Sequence, residues 1–503
     1  MVAKSLVSID HVHAEPVMRL LESTREYAAE KLAGVGREQE CYSRHARRLR
    51  DVFAAAEREW TLIQSVRWKS AHDYRIDDLR AAMEWAFGVG KDAKLGCELL
   101  VHSTPLWIEL SLLSELRDWA ELANSRVAEV NEPPLELRVA NLLAVATMET
   151  GVTPVMGSML TKALHMARYL GDAEQELSAV VGLRFERGGT GDFEGVRKLW
   201  PLIEPVAQRA GHPWPSRLAK SHRAYDACNE GKYVEAYHHT RECLNDPALT
   251  ARGWRLRPFE IDPYVTMLAN KARLDWIMGR PDTARRVVED TFAEAHKFGH
   301  SPTYYFSLVT SSSLLPLWLG DIDWAQEILD LISEEGRANG LPHWTVWERT
   351  IQIGLAALQF QGNAPLPSRP DEPPVMGWGR LLLATVHESL LTEEVSARAA
   401  SGVIDIASCE AFRGMGERAL ASGDPDGVER ARAYFVRAQN LAREESAASW
   451  ELRAATSLAK LELREGNPAE ARSVLGRAYA SFSEGFGTRD LQAARSVLDE
   501  AGA

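Results

Sequence analysis

The sequence predicts an all-α solenoid of paired helices, and three observations carry that expectation. Seven glycine-containing turns recur along residues 191–468, helix-periodic apolar stretches separate them, and a small residue repeats at one phase after the glycine. The turns are Gly191-Asp192, Gly231-Lys232, Gly279-Arg280-Pro281, Gly320-Asp321, Gly362-Asn363, Gly423-Asp424 and Gly466-Asn467-Pro468. Glycine takes the left-handed conformation that ends a helix, and Asp, Asn or Pro starts the next one. Their spacings are 40, 48, 41, 42, 61 and 43 residues.

A period of about 40 to 48 belongs to tetratricopeptide-like paired-helix repeats whose helices exceed those of the common unit of about 34 residues. Five residues after the glycine stands an alanine in four turns: Ala236, Ala284, Ala325 and Ala471. A small side chain there lets the second helix approach the first, while Ile277-Met278, Trp318-Leu319 and Leu461 supply large facing groups. The long gap of 61 holds prolines 365, 367, 370, 373 and 374, a density that forbids helix and predicts an extended connector. The expected organisation is an N-terminal segment 1–60, a helical entry region 61–154, repeats over 155–362, a connector 363–378 and further repeats over 379–503.

Within 1–60, residues 1–15 read as one or two short strands through Leu6-Val7-Ser8-Ile9, His11 and Val12. Val17, Leu20, Leu21, Thr24, Tyr27, Ala28 and Leu32 fall at helical spacing and predict a helix that stops at Gly34. A second helix, about 38–59, carries Arg44, Arg47 and Arg48 on one face, with Arg37 and Arg50 nearby. That face is a candidate docking helix for an acidic partner, a separate ATPase subunit or a DNA backbone; a solvated face paired with Glu38, Glu40, Asp51 and Glu57 is the simpler expectation.

Composition sets the outer limits. The 503 residues hold 58 Lys+Arg and 71 Asp+Glu, a net charge of −13, which disfavours direct nucleic-acid binding. Five cysteines, odd in number and without a C-x-x-C pair, point to a reducing compartment and a cytoplasmic protein. The first ten residues lack a signal-peptide core, and the best apolar run, Leu99 to Leu113, is broken by His102, Pro105 and Glu109, so no membrane insertion is expected.

The segment 19–32 (RLLESTREYAAEKL), followed by Arg44-His45-Ala46, resembles the region after the ATPase module of bacterial STAND-type winged-helix transcriptional regulators. Residues 76–86 (IDDLRAAMEWA) are similar to the next recurrent motif of that family, with Asp78 where Asn is usual and Met83 where Leu is usual; residues 2–7 look like the last strand of its winged-helix subdomain. The resemblance is specific over about residues 1–90. It implies a short N-terminal winged-helix remnant and a non-enzymatic arm that binds a protein partner or a small-molecule inducer. It also implies an ATPase and DNA-binding module on another chain or in a segment outside this sequence. Neither activity transfers to this chain. The nearest string to a P-loop, Gly88-Val89-Gly90-Lys91-Asp92, has Asp in place of the magnesium-binding hydroxyl and Trp85 where the first glycine belongs, and reads as a helix end.

No metal, cofactor or catalytic constellation is expected. His387-Glu388 lacks the second histidine of a zinc helix, position 391 being Leu, and His11, His13, His238 and His239 have no partners at ligand spacing. Cys228 and Cys243 read equally as thiols on paired helices or as separate buried groups. The most suggestive stretch is 254–347, with Trp254, Trp276, Trp318, Trp324, Trp344, Trp347, Tyr264, Tyr304, Tyr305 and Phe306 close to Arg255, Arg257, His343 and Arg349. Rings give contact area and arginines fix polar groups. Trp254, Arg257, Trp276, Tyr304, Tyr305, Trp318, His343, Trp344, Trp347 and Arg349 are therefore the candidate ligand or partner face. Tryptophan filling gaps between long helices is the competing expectation. Partner binding on the concave face and stand-alone small-molecule sensing by this aromatic block are the two functional expectations.

Overall fold

The computed structural model describes residues 7–10, 17–60, 65–110, 112–147, 154–212, 215–250, 261–298, 301–339, 344–360 and 377–502. Those residues are overwhelmingly helical, and consecutive helices pack in antiparallel neighbouring pairs. The exception is a two-stranded antiparallel hairpin, Val7–Asp10 with Val17–Leu20, in which Val7 faces Leu20 and Asp10 faces Val17. The helix expected from Val17 starts later, at Glu22, because residues 17–20 are used by the hairpin; it ends at Gly34 as the sequence predicts.

Helix Glu38–Trp60 lies against Ala93–Glu109 and Ile76–Phe87. One apolar cluster, from Ala46 to Ala146 and including Trp60, Trp68, Trp85 and Trp107, holds this region together, so the 38–60 helix shares its core with segment 61–154. The P-loop-like string is the expected helix end: the helix stops at Phe87, Asp92 caps the next helix by accepting from the Leu95 N–H at 3.0 Å, and a Cβ on Gly90 would lie 2.7 Å from the Trp85 ring.

From Pro154 the chain forms a first row of paired helices through Trp344–Gln359. Gly191, Gly231, Gly279 and Gly320 all take φ between +72° and +86°. The alanines five residues on, Ala236, Ala284, Ala325 and Ala471, are fully buried, as close helix approach demands. The proline-rich connector lies outside the described residues up to 376, and a second row follows, from helix Gly377–Ala384 to Arg489–Gly502. Among the described residues no helix is long and apolar enough to cross a membrane.

The two rows meet edge to edge in a way the sequence does not announce. Turns alternate between the two edges of the first row. On one edge, Gly171 and Gly211 have no described residue within 4 Å of the position of a Cβ; on the other, Gly231, Gly279 and Gly320 face Asp405, Ala448 and Arg489 of the second row at 3.1, 3.0 and 2.8 Å. Helix ends leave backbone groups without intrahelical partners, and the second row supplies those partners. The Gly191 carbonyl accepts from Arg398 Nη2 at 2.9 Å, the Asn229 carbonyl from the Ile406 N–H at 2.9 Å, the Trp276 carbonyl from Ser449 Oγ and the Trp318 carbonyl from Arg453 Nη2 at 2.8 Å. At the starts of the following helices the sign reverses: Glu484 accepts from the Thr283 N–H at 2.8 Å, and Glu445 from the Val234 N–H at 3.5 Å. Cations at helix C-termini and carboxylates at N-termini also match the helix dipoles.

Arg453 is the main fastener. Its guanidinium also donates to the Thr385 carbonyl at 2.8 Å, pairs with Asp490 at 2.6 Å and with buried Glu410 at 3.3 Å, and lies over the rings of Trp276 and Trp450. Removing it takes a donor from two helix-end carbonyls and from Asp490, while Glu410 keeps Arg413 at 2.9 Å, so Arg453→Met is expected to cost about 2–3 kcal/mol in denaturant unfolding. The two glycine edges give a second test. Gly211→Ala is expected to cost only the left-handed backbone penalty, about 1–2 kcal/mol. Gly485→Ala, whose Cβ would sit 1.9 Å from Pro281 Cγ across the row boundary, is expected to cost about 1–3 kcal/mol more than that in thermal melts. Equal costs at the two positions would contradict the edge-to-edge contact.

Candidate functional site

The inner helices of the first row put a polar and aromatic cradle inside an otherwise apolar stack. On Pro215–Asn229, residues His222, Tyr225, Asp226 and Asn229 fall at i, i+3, i+4 and i+7 and so share one face. Pro263–Ile277 brings Asn270 and Arg273, one turn apart, to the same level. Ala173–Thr190 contributes Arg184, Phe193–Arg209 contributes Trp200, Ser301–Ser307 contributes Phe306, and the second row contributes Trp378 from Gly377–Ala384.

Charge in the cradle is arranged unevenly. Arg184 binds Asp226 through both carboxylate oxygens, at 2.9 and 2.5 Å, and Trp200 Nε1 donates to the same carboxylate at 2.9 Å, so this pair is balanced and satisfied. Arg273 is fully buried and, among the described residues, makes one hydrogen bond, from Nη2 to Asn229 Oδ1 at 2.7 Å, its Nε and Nη1 meeting none. Its faces are covered by rings, with the guanidinium carbon 5.4 Å from the centre of Tyr225 and 5.9 Å from that of Trp378. Tyr225 touches Arg184 from its own side at 5.9 Å and packs against Phe306 at 5.5 Å. Trp378 packs on Trp347 at 5.0 Å, and its own Nε1 is buried without a partner among the described residues. Burial pushes the Tyr225 hydroxyl up to about 12 despite the two guanidinium groups, so it stays protonated.

The predicted face is distributed differently. Trp276 and Trp318 are buried and stack on each other at 4.7 Å, with Trp450 edge-on to both at 4.7 and 5.4 Å. Tyr305 and Trp347 are also buried, while Tyr304 and Arg349 are half-buried. Hence the expectation of an open concave surface is corrected for Trp276, Tyr305, Trp318 and Trp347: these rings fill the space between helices and between rows. A crevice beside Trp347, lined by Val309, Leu317, Ile351 and Leu382 among others, has room for about one water. Trp254, Arg257 and His343 lie outside the described residues; Trp344 opens helix Trp344–Gln359, but its side chain lies outside the description. On the candidate docking helix Arg44, Arg47 and Arg48 are exposed, and Arg44 pairs with Glu40 at 3.2 Å. Cys228 and Cys243 are both buried and belong to separate apolar clusters. Among the described residues no group of three or more His, Cys, Asp or Glu side chains is placed to hold a metal ion.

Arg273 and Trp378 were missed because neither belongs to a recognisable motif. The available signal was Asn270 and Arg273 one turn apart on the same helix face, among the buried Met267, Ala269 and Leu274.

With this geometry in view, comparison with known proteins adds little. No protein-family model and no curated protein matches the chain. A solved structure described as "Circular tandem repeat protein with novel repeat topology and enhanced subunit contact surfaces" matches at 15% identity, covering 91% of this chain and 96% of that one, with a TM-score of 0.15. At that score the likeness carries no argument. The chain is an all-α helical-repeat protein on the strength of its own helix pairs.

His222 gives a pH test of the cradle. Burial, then the positive charges of Arg184 and His212, hold its imidazole well below the usual range, and its Nε2 is sealed without a partner. A histidine with a depressed folded value stabilises the fold above its unfolded pKa and loses that contribution as pH falls. Below about pH 6.5 the native chain is therefore expected to lose up to about 1.4 kcal/mol of stability per pH unit more than His222→Gln. Melts of the two proteins between pH 8 and 5 that run parallel would exclude a neutral buried His222.

Proposed function

We propose that this chain is a non-enzymatic sensor arm of a STAND-type transcriptional regulator, responding to a small ligand rather than wrapping a large partner. The observation that carries the reading is the burial of the first row's inner edge. Where an open solenoid offers a long concave face to a protein, the second row caps these helix ends, and Trp276, Trp318 and Trp450 close over one another. What remains inside is a compact cradle with an unpaired cation and flat rings, which suits a small molecule better than a helix or a folded domain.

The N-terminal region supports the regulator part of the reading. The hairpin Val7–Asp10 with Val17–Leu20 and helix Glu22–Gly34 occupy the stretch that resembles the family's segment after the ATPase. The exposed Arg44, Arg47 and Arg48 are then the natural contact for an acidic face of that ATPase. Contacts shared between the rows give a ligand in the cradle a route to both, since Trp378 belongs to the second row while Arg273 and Tyr225 belong to the first.

The test pairs this chain with a P-loop ATPase encoded in the same frame or beside it. Adding the arm is expected to change ATP turnover severalfold, and Arg44→Glu with Arg47→Glu and Arg48→Glu is expected to weaken that effect while leaving the melting temperature unchanged. An ATPase rate indifferent to the arm removes the regulator reading.

A further inference from the structure

We propose that Arg273 is the seat of a carboxylate, and that the cradle takes a small monocarboxylate with an apolar or aromatic body. This deepens the sensor reading and relies on it for biological meaning, although the binding itself stands or falls separately.

The argument begins with charge. A fully buried guanidinium is costly unless a counter-charge or a full set of hydrogen bonds compensates it. Each nearby carboxylate already has its own cation: Asp226 has Arg184, Asp275 has Lys271 and Arg280, and Glu230 has Arg197 and Lys232 on Oε2, although its Oε1 meets no described partner. Arg273 has only the neutral Asn229 amide, and no described residue meets Nε or Nη1. The cradle therefore carries one net positive charge.

Geometry narrows the ligand. A guanidinium binds a carboxylate in a fork along either of two edges, Nε with Nη2 or Nη1 with Nη2. Asn229 takes one Nη2 hydrogen. Whichever it takes, the other Nη2 hydrogen remains beside an unpartnered Nε–H or Nη1–H, so one complete fork stays open. Trp378 Nε1 adds a further unpartnered donor next to the same guanidinium. The orphaned groups at Arg273 and Trp378 are donors, and a carboxylate answers donors with acceptors; the orphaned Asn270 Oδ1, one turn before Arg273, is an acceptor that the carboxylate leaves to water. Tyr225, Phe306 and Trp378 supply ring surface for the body, and the single net charge favours a monoanion over a phosphate or dicarboxylate.

Formate, benzoate and phenylacetate, each compared with its amide, test the seat on the intact chain. Calorimetry and thermal melts at constant ionic strength are the readouts. Formate, as the smallest carboxylate, tests the fork whatever the shape of the body. All three acids are expected to raise the melting temperature over chloride, with benzoate or phenylacetate binding most tightly and each amide at least roughly tenfold weaker than its acid. Arg273→Met is expected to abolish the acid's advantage. Arg285→Met, which removes an arginine lying over Trp324 near the surface, is expected to preserve it. If Arg273→Met fails to fold, Arg273→Lys, which keeps the charge and lacks the fork, is expected to bind each acid more weakly than the native chain. Equal affinity for acid and amide, or no response to formate, overturns the proposal and leaves ordered water as the partner of these donors. A carboxylate that binds without altering ATP turnover leaves the seat in place and removes only the sensor reading.

Discussion

Helix ends have to be satisfied, and most of the architecture follows from how one edge of the first row meets that need. The first helices of four helix pairs finish with carbonyls pointing at the second row, which returns Arg398, the Ile406 N–H, Ser449 and Arg453 to them in chain order. Glu484 accepts from the Thr283 N–H and hydroxyl at the start of helix Pro281–Phe298. Left-handed glycines make this possible, because the second-row atoms approach to within about 3 Å of where a side chain would stand. A backbone so capped cannot separate from its partner row without exposing several polar groups at once.

Much of the first row was legible in the sequence. The glycine turns at 191, 231, 279 and 320 and the alanines five positions later report local events, confined to one helix pair, and the structure has them where the sequence places them; the turn expected at Gly362-Asn363 lies outside the described residues. The edge-to-edge arrangement was not legible. Its contacts join residues 135 to 211 positions apart and run largely through backbone carbonyls and N–H groups, which leave no periodic mark on side-chain type. The misplaced start of the first helix has a similar cause: Val17 and Leu20 fit a helical stripe, but hairpin pairing with Asp10 and Val7 takes them first.

The aromatic block shows where composition misleads. Tryptophan density suggested a binding face, but a large ring also bridges wide gaps between long helices, and Trp276, Trp318 and Trp450 do that. The functional candidate was a single arginine of ordinary appearance. Its importance depends on what fails to surround it, and a sequence cannot show that Asp226 is already committed to Arg184 while Arg273 is left with an amide.

Edge-to-edge capping also constrains how such a chain can change in length. An open solenoid tolerates gain or loss of a repeat, since each unit touches only its neighbours. Here an extra pair of helices placed between Gly231 and Gly279 would slide Trp276, Thr283 and Trp318 away from Ser449, Glu484 and Arg453. The two rows form a matched pair of rulers. Insertions are tolerated at the Gly171 and Gly211 edge, where no described residue comes within 4 Å of a Cβ on either glycine, but a whole repeat added to one row requires a compensating addition in the other.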